Sequence, residues 1–196
     1  MKTPHIFIFF GKSGSGKGTQ ALLLRTELEK MGRKVIYVET GQLMRDFVAS
    51  GDTYLQQQTN QIISNGKLMP VFFPIYLWAK VLVEQYTGSE DIIFDGVSRR
   101  IEEGPIIDSA LDFLQVEHRS VIHIDVSDKW VIDRLSARGR ADDSISGIQK
   151  RLDWYLENVV PVLSFFEKKK TYRFFEINGE QSIEEVHVEI MKKIIA

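Results

Sequence analysis

Residues 11–20 read GKSGSGKGTQ and directly follow the apolar run Ile6–Phe10. Glycines let a backbone curl so that several main-chain N–H groups point at one anion, and a following helix adds the positive end of its dipole. Lys17 supplies a full positive charge for the outer phosphates. The spacing Gly-x4-Gly-Lys fits a phosphate-binding loop (P-loop), with Gly18 where Ser or Thr usually follows and Thr19 one position later. We therefore predict a strand, a phosphate-binding loop and a helix.

The composition is that of a globular chain with one domain. It has 196 residues, of which 43% are hydrophobic. Its net charge of −2 does not indicate the excess of positive charge that is typical of nucleic-acid binding. Cysteine is absent, which excludes disulfides and thiolate metal sites, and the four histidines show no ligand spacing. The apolar runs are strand-length, far shorter than a membrane span. The first predicted strand begins too early for a signal peptide, so we expect a cytoplasmic protein with no membrane or nucleic-acid partner.

Short apolar runs alternate with longer amphipathic segments along the chain. The predicted strands are His5–Phe10, Lys34–Glu39, Asp91–Asp95, Ser120–Val126 and Tyr172–Ile177. Nearly continuous apolar strands separated by helices indicate a parallel sheet buried on both faces. We predict a three-layer α/β fold with a parallel five-stranded sheet, whose ligands lie beyond the carboxyl ends of the strands.

Several helix boundaries also follow from the sequence. Ser182 and Glu185 form a capping box, and Asp128 is expected to cap the helix that follows it. Pro161 should kink or break a helix that begins near Ile145. About fifty residues separate the second and third strands, more than one crossover needs, which predicts a helical insertion.

Charged side chains near the predicted strand ends indicate phosphoryl transfer, which depends on positioning and positive charge. Arginine forks grip phosphates bidentately. The candidates are Arg45, Arg99, Arg134, Arg138, Arg140 and Arg151. Asp95 ends a strand beside the phosphate-binding loop, where it can hold Mg²⁺ through bound water or cap the turn at Gly96. We favour the magnesium role because of the neighbouring loop.

With these pieces in order, the chain resembles the short-lid adenylate kinases, a family of nucleoside monophosphate kinases. The matching motifs are residues 11–20, Thr40-Gly41-x3-Arg45, Gly66-Lys67-Leu68, Asp95-Gly96-x2-Arg99, Arg134-x3-Arg138-Gly139-Arg140-x-Asp142-Asp143, Lys150-Arg151-Leu152 and Asn178-Gly179. The resemblance implies a P-loop kinase domain with a core (1–39, 70–136 and 148–196), an acceptor-nucleotide (NMP) insertion at 40–69 and a short lid at 137–147. It also implies ATP and Mg²⁺ as cofactors, small-molecule nucleotides as partners, no zinc and a monomer.

The resemblance further implies roles for individual residues. The donor ATP would be held by Gly14, Ser15, Gly16, Lys17, Gly18, Thr19 and Arg134, with Arg134 stacked on or beside the adenine. The acceptor would be held by Thr40, Gly41, Arg45, Gly96, Arg99 and Glu103. Lys17, Arg99, Arg138, Arg140 and Arg151 would be catalytic, and Thr19 and Asp95 would lie near the magnesium ion. Lid closure would exclude water, so that a nucleotide accepts the phosphoryl group.

The chain departs from the family pattern in four places. Ser98 replaces the family proline, often cis, and we expect a trans turn there because a cis bond costs about 3 kcal/mol. Glu39 and Gln42 replace the usual Ser and Asp around Thr40-Gly41. Gln42 thereby removes one carboxylate near the magnesium waters. Gly147 lowers the helix propensity at the lid hinge.

The fourth departure concerns the acceptor base. Glu103 stands where adenylate kinases place a glutamine that reads adenine. A glutamine amide donates and accepts, whereas an ionised carboxylate only accepts, so Glu103 suits guanine better than adenine N1. It could also accept one hydrogen bond from the amino group of cytosine or adenine. The alternative is that Glu103 points to solvent and Glu102 or a backbone group reads the base.

The predicted function is reversible phosphoryl transfer from Mg–ATP to a nucleoside monophosphate, with adenylate kinase (ATP + AMP = 2 ADP) as the first choice. A relative that uses GMP, CMP or UMP is the alternative within this class. A regulatory P-loop ATPase and a nucleotide-binding protein of low activity are alternatives of other classes. The acceptor-side and lid arginines have no purpose in hydrolysis, which argues against the ATPase.

Overall fold

The computed structural model describes residues 3–65, 67–138 and 144–195, with the side chains of Arg138 and Ile195 excepted. Its centre is a parallel sheet of five strands in the order β2-β3-β1-β4-β5. The strands are β1 (His5–Phe10), β2 (Val35–Glu39), β3 (Asp91–Asp95), β4 (His118–Asp125) and β5 (Tyr172–Asn178). The predicted α/β fold is confirmed, and each predicted strand lies within two residues of the observed bounds.

Successive strand residues face opposite sides of the sheet, and the residues on both sides are apolar, so helices cover both faces. Ile6 and Ile8 of β1 belong to one apolar cluster, whereas Phe7 and Phe9 belong to another. The helices are α1 (Lys17–Lys30), α2 (Thr40–Ala49), α3 (Tyr54–Ser64), α4 (Phe72–Gln85), α5 (Glu103–Phe113), α6 (Asp128–Arg138), α7 (Ile145–Trp154), α8 (Val160–Glu167) and α9 (Ile183–Ile195). None of these helices, which lie in the described ranges, is long and apolar enough to cross a membrane.

The helix caps support one sequence prediction and correct another. The Ser182–Glu185 capping box before α9 is confirmed, with hydrogen bonds of 2.9 and 3.2 Å in the two directions. The predicted Asp128 cap is wrong: the Ser127 hydroxyl accepts the Trp130 N–H at 3.2 Å, because Asp128 is already the first residue of α6. Ser144 caps α7 by accepting the N–H of Gly147, so this glycine lies inside the helix.

Before Pro161 the helical hydrogen bonding changes locally, but the helical segment continues through it. A π-helical turn (Tyr155–Val159) joins α7 to α8, and Pro161 lies in the first turn of α8, where its missing N–H is tolerated. The π-helical turn widens the backbone at Tyr155, whose hydroxyl lies 3.0 Å from Nε2 of His123 on β4.

His123 makes the stability of the protein depend on pH. Burial lowers its pKa below the ordinary value of 6.5, although Asp125 and Glu176 oppose the shift. The unfolded chain therefore binds the proton more tightly. The contribution of His123 to the free energy of unfolding is complete about one pH unit above 6.5 and declines as the pH falls through 6.5 toward the folded-state pKa. We expect the free energy of unfolding to fall between about pH 7.5 and 5.5, by up to about 1.4 kcal/mol per pH unit for this group.

The substitution His123→Gln removes this proton and keeps a hydrogen-bonding partner for Tyr155. Its free energy of unfolding should fall less than that of the wild type over the same pH range, as measured by urea denaturation at several pH values. The pKa values of His5 and His187 are also lowered by burial, so part of the slope should remain. Two parallel curves would contradict this account of His123.

Candidate functional site

The phosphate-binding loop lies between β1 and α1, and its glycines are required by the backbone. Gly14 and Gly16 have φ values of +84° and +92°, in the left-handed region that disfavours side chains. A Cβ on Gly14 would also lie 3.0 Å from Leu135 of α6. The loop is tied down by Lys12, whose ammonium donates to the Val126 carbonyl oxygen at 2.8 Å and to Asp128 at 2.6 Å. Helix α1 begins at Lys17, so its N-terminus faces the space above the loop.

Gly18, the departure from the strict P-loop spacing, has a steric reason. A Cβ at this position would lie 2.9 Å from Oδ2 of Asp95, on the neighbouring strand β3. The absence of a side chain therefore lets a buried carboxylate approach the start of α1. The same Oδ2 accepts a hydrogen bond from the hydroxyl of Tyr37 on β2 at 3.0 Å. Burial and the nearby Asp95 raise the pKa of Tyr37, so its hydroxyl remains a donor.

A cavity of about 590 Å³ opens at the carboxyl ends of the strands. It is lined by most of the residues that the sequence analysis selected: Gly14, Gly16, Lys17, Gly18, Thr19, Thr40, Gly41, Arg45, Asp95, Gly96, Arg99, Glu103, Arg134 and Arg151. Ser15 does not line it; this buried residue closes a turn in which its N–H donates to the Lys12 carbonyl at 3.0 Å. A volume of this size is typical of small-molecule sites.

Part of the predicted site lies outside the described residues. This applies to Arg140, to the side chain of Arg138, and to residues 139–143 of the predicted lid. The helices on either side of this segment bring two other arginines to the cavity: Arg134 from α6 and Arg151 from α7. Arg134 lies over the phosphate-binding loop, since its Nη1 is 3.9 Å from the Cβ position of Gly16.

Arg45 of α2 is held by Glu39 and Gln42, two of the positions where the sequence analysis found a departure from the family pattern. Its Nη2 donates to Oε1 of Glu39 at 2.9 Å and to Oε1 of Gln42 at 2.7 Å. Gln42 thus orients the Arg45 guanidinium group, a role that its position beside Thr40-Gly41 did not predict. The Glu39–Arg45 pair is well exposed to solvent.

An anion that binds Arg45 must compete with the carboxylate of Glu39. We expect Glu39→Gln to lower the KM for a phosphate-bearing acceptor by roughly 1.4- to 5-fold, because exposed ion pairs contribute about 0.2–1 kcal/mol. Initial rates against acceptor concentration measure this effect, which should shrink at high salt. Glu29→Gln is the matched control, since Glu29 forms a comparable exposed pair with Arg25 on α1, outside the cavity lining. An unchanged or higher KM in Glu39→Gln would contradict the competition.

Arg99 lies in the turn after β3 and points back across it. Its Nε donates to the Gly96 carbonyl at 2.7 Å, and its Nη2 lies 3.8 Å from the Cβ position of Gly41. Burial lowers the pKa of Arg99, while the carboxylates of Asp95, Glu103 and Glu39 act in the opposite direction. The peptide bonds of this turn are trans, as expected, and Ser98 adopts a left-handed φ of +54° in place of the family proline.

Glu103 is buried, with 2% of its surface exposed. Its Oε1 accepts the main-chain N–H groups of Arg99 and Arg100, each at 3.1 Å. The alternative that Glu103 points to solvent is therefore wrong; it is Glu102 that is exposed. Burial raises the pKa of the Glu103 carboxyl group, although the two N–H donors and Arg99 oppose the shift.

Sequence reasoning missed several residues that line the cavity. Trp154 and Tyr155 lie at the junction of α7 and the π-helical turn, and Lys67 precedes α4. Apolar side chains of the insertion and of the turn after β3 also line it: Met44, Ile63, Leu68, Met69 and Val97. The motif Gly66-Lys67-Leu68 was a signal for Lys67, whereas an aromatic residue in a helix carries no signal that separates a cavity wall from a core.

Comparison with known proteins agrees with this geometry. A family sequence model described as Adenylate kinase matches residues 9–171. Adenylate kinase 1 of Synechocystis sp. is 31% identical over 193 residues, which cover 95% of this chain and 95% of the relative. The adenylate kinase of Corynebacterium urealyticum is 30% identical over 179 residues (91% and 93%), and that of Parasynechococcus marenigrum is 31% identical over 185 residues (94% and 96%).

Proposed function

The chain belongs to the adenylate kinase family, and from this premise we propose that it transfers the γ-phosphoryl group of Mg–ATP to AMP, reversibly, to give two ADP. The observation that carries the proposal is the convergence of Lys17, Arg45, Arg99, Arg134 and Arg151 on one cavity above the phosphate-binding loop. Phosphoryl transfer spreads negative charge over the oxygens of the transferred group, and fixed cations stabilise that charge without reorganising.

The donor triphosphate would bind at the phosphate-binding loop. The left-handed glycines and the N-terminus of α1 direct main-chain N–H groups at its phosphates, and Lys17 adds a full charge. Arg134 is placed over this loop and would contact the donor beside its adenine. Arg151 would contact the transferred group, together with Arg138 and Arg140.

The acceptor would bind at the other end of the cavity. Arg45 and Arg99 would hold its α-phosphate, and Thr40, Gly41 and Gly96 would let that phosphate approach the backbone. The apolar side chains of Met44, Met69 and their neighbours offer a surface for the base. Glu103 is the buried polar group on this side of the cavity that would meet the base.

Magnesium fits the oxygen groups beside the loop. Asp95 places a buried carboxylate against Gly18, and Thr19 lines the cavity with a hydroxyl; oxygen ligands of this kind are the ones that Mg²⁺ prefers. When bound near Asp95 and Thr19, the ion would supply positive charge that offsets the charge developing on the phosphates. Tyr37 would keep the Asp95 carboxylate oriented toward this position.

Closure of the insertion at 40–69 and of the lid at 137–147 over the core at 1–39, 70–136 and 148–196 would exclude water from the reacting phosphates. Two helices, α2 and α3, lie within the insertion, and α6 and α7 flank the segment that we assign to the lid. Without closure, water could accept the phosphoryl group and ATP would be hydrolysed.

A panel of nucleoside monophosphates tests the proposal. Purified protein is incubated with Mg–ATP and AMP, GMP, CMP or UMP, and the diphosphate products are separated and quantified. We expect AMP to be the preferred acceptor and hydrolysis without an acceptor to be much slower. Transfer to another base at a higher kcat/KM, or ATP hydrolysis that no monophosphate accelerates, would overturn it.

A further inference from the structure

The Glu103 side chain offers one carboxyl oxygen to the acceptor site. Among the described residues, its hydrogen bonds with the main-chain N–H groups of Arg99 and Arg100 both engage Oε1. A third main-chain N–H group, that of Ser98, also acts on the carboxyl group. Glu103 lines the cavity and is almost entirely buried, which leaves Oε2, the oxygen outside the two hydrogen bonds above, for a contact with a bound base. One buried oxygen therefore determines what this residue can recognise.

In the part of the chain that the structure describes, Arg99 is the charge that acts directly on Glu103. Arg99, in the preceding turn, favours the ionised carboxyl group, but Arg99 also faces Asp95 on β3, Glu39 on β2 and Arg45 on α2. On the side of α8, Phe165 packs against Gly104 at 3.0 Å from its Cβ position and brings no charge. Farther along α5, Asp108 is paired with Lys169 and Arg119, which keeps those charges occupied.

Adenine presents a lone pair at N1 beside the amino group at N6. An ionised Oε2 can only accept a hydrogen bond and would repel the N1 lone pair, whereas a neutral carboxyl group can donate its O–H to N1. Glutamine at this position would donate from its amide at every pH. An ionised Oε2 can still accept from the N6 amino group, but only a protonated Glu103 can donate to N1 as the glutamine amide does.

On the basis of the function proposed above, we propose that Glu103 binds the adenine of AMP as a neutral carboxyl group, so that AMP binding takes up one proton at Oε2. The proton comes from solvent and returns to solvent when the product leaves, so the overall reaction is unchanged. Burial of the carboxyl group, which already disfavours its charge, becomes more complete when a base covers it.

The test compares KM for AMP between about pH 5.5 and 8.5 in the wild type, Glu103→Gln and Glu102→Gln at saturating Mg–ATP. The phosphate of AMP titrates in all three proteins, so the informative quantity is the KM of each variant relative to the wild type at each pH. We expect the wild-type KM to rise about tenfold relative to that of Glu103→Gln across this range. Glu102→Gln, the same chemical change on an exposed neighbour, should follow the wild type.

Calorimetry provides a second measurement that does not depend on turnover. AMP binding measured in buffers of different ionisation enthalpy should show uptake of a proton at neutral pH by the wild type and by Glu102→Gln, beyond that seen with Glu103→Gln. Parallel KM profiles, equal proton uptake in all three proteins, or a higher KM in Glu103→Gln at every pH would each overturn the proposal. Failure of all three proteins to phosphorylate AMP despite binding it would instead refute the proposed kinase function.

Inosine monophosphate tests whether ionisation of Glu103 disfavours adenine specifically. Its base carries N1–H, a donor, where adenine has a lone pair, so an ionised Oε2 accepts from it. The wild-type preference for AMP over inosine monophosphate should therefore decline as the pH rises. In Glu103→Gln this preference should be independent of pH. A decline of equal size in Glu103→Gln would show that Glu103 is not the residue that recognises the base.

Discussion

Replacing Lys17 with methionine is expected to lower kcat for phosphoryl transfer by about a hundred- to a thousandfold, which is typical of losing one fixed donor at a site of developing charge. Lys17 is the first residue of α1 and lines the cavity, where its ammonium group would lie against the outer phosphates. Methionine keeps much of the length and apolar character of the side chain and removes only its charge. Stopped or quenched single-turnover assays with excess enzyme measure the transfer step directly.

Lys12 provides the matched control within the same loop. Its ammonium group is occupied by the Val126 carbonyl and Asp128, and it is not among the residues that line the cavity. Lys12→Met should lower the midpoint of thermal unfolding and leave the transfer rate within about threefold of the wild type at a temperature where the variant is folded. Equal losses of transfer in the two variants, or a normal rate in Lys17→Met, would count heavily against the assigned role of Lys17.

Arg99→Ala should have the second large effect, a loss of about a hundred- to a thousandfold in kcat/KM for AMP. Its guanidinium group lies between Gly41 and Gly96 and would bind the acceptor phosphate bidentately. Removing it also leaves the carboxylates of Asp95, Glu103 and Glu39 without a shared counter-charge. Arg99→Lys keeps the charge without the planar fork, so it should restore only part of the activity.

The neighbouring Arg100 is the control for this substitution. Arg100 also follows Ser98 in the same turn, but its side chain is not part of the cavity lining. Arg100→Ala should keep kcat/KM for AMP within about threefold of the wild type. The assignment of Arg99 to the acceptor would be wrong if the two alanine variants lost activity to the same extent, or if Arg99→Ala affected only the KM for ATP.

Predictions from sequence succeeded where the signal was local. The apolar runs gave all five strands because a strand buried on both faces must be apolar along its whole length. The phosphate-binding loop followed from the spacing of glycines and Lys17, since left-handed backbone is needed at Gly14 and Gly16. The capping box before α9 involves residues three apart, and it was also predicted correctly.

Predictions were wrong or incomplete where the sequence allows more than one local structure, such as two capping residues or two side-chain orientations. Asp128 and Ser127 are both good caps, and only the start of α6 decides that the Ser127 hydroxyl receives the N–H. Pro161 was expected to kink or break the helix that begins near Ile145, and the α-helical pattern does end before it, at Trp154; the sequence did not show that a π-helical turn would join the two α-helices. For Glu103 the sequence left two orientations open, and the buried turn at Arg99 and Arg100 selected one of them.

The sequence by itself determined the parallel α/β fold, the position of the phosphate-binding loop and the basic residues available to it, because these depend on short spacings and on the polarity of single segments. Tertiary structure alone decided which side chains meet. Tyr37 and Asp95 are 58 residues apart, yet they share a hydrogen bond because β2 and β3 are neighbours in the sheet. Gly18 is needed because Asp95 approaches it from another strand. Contacts of this kind depend on how separate elements pack against one another, which no local pattern of residues records.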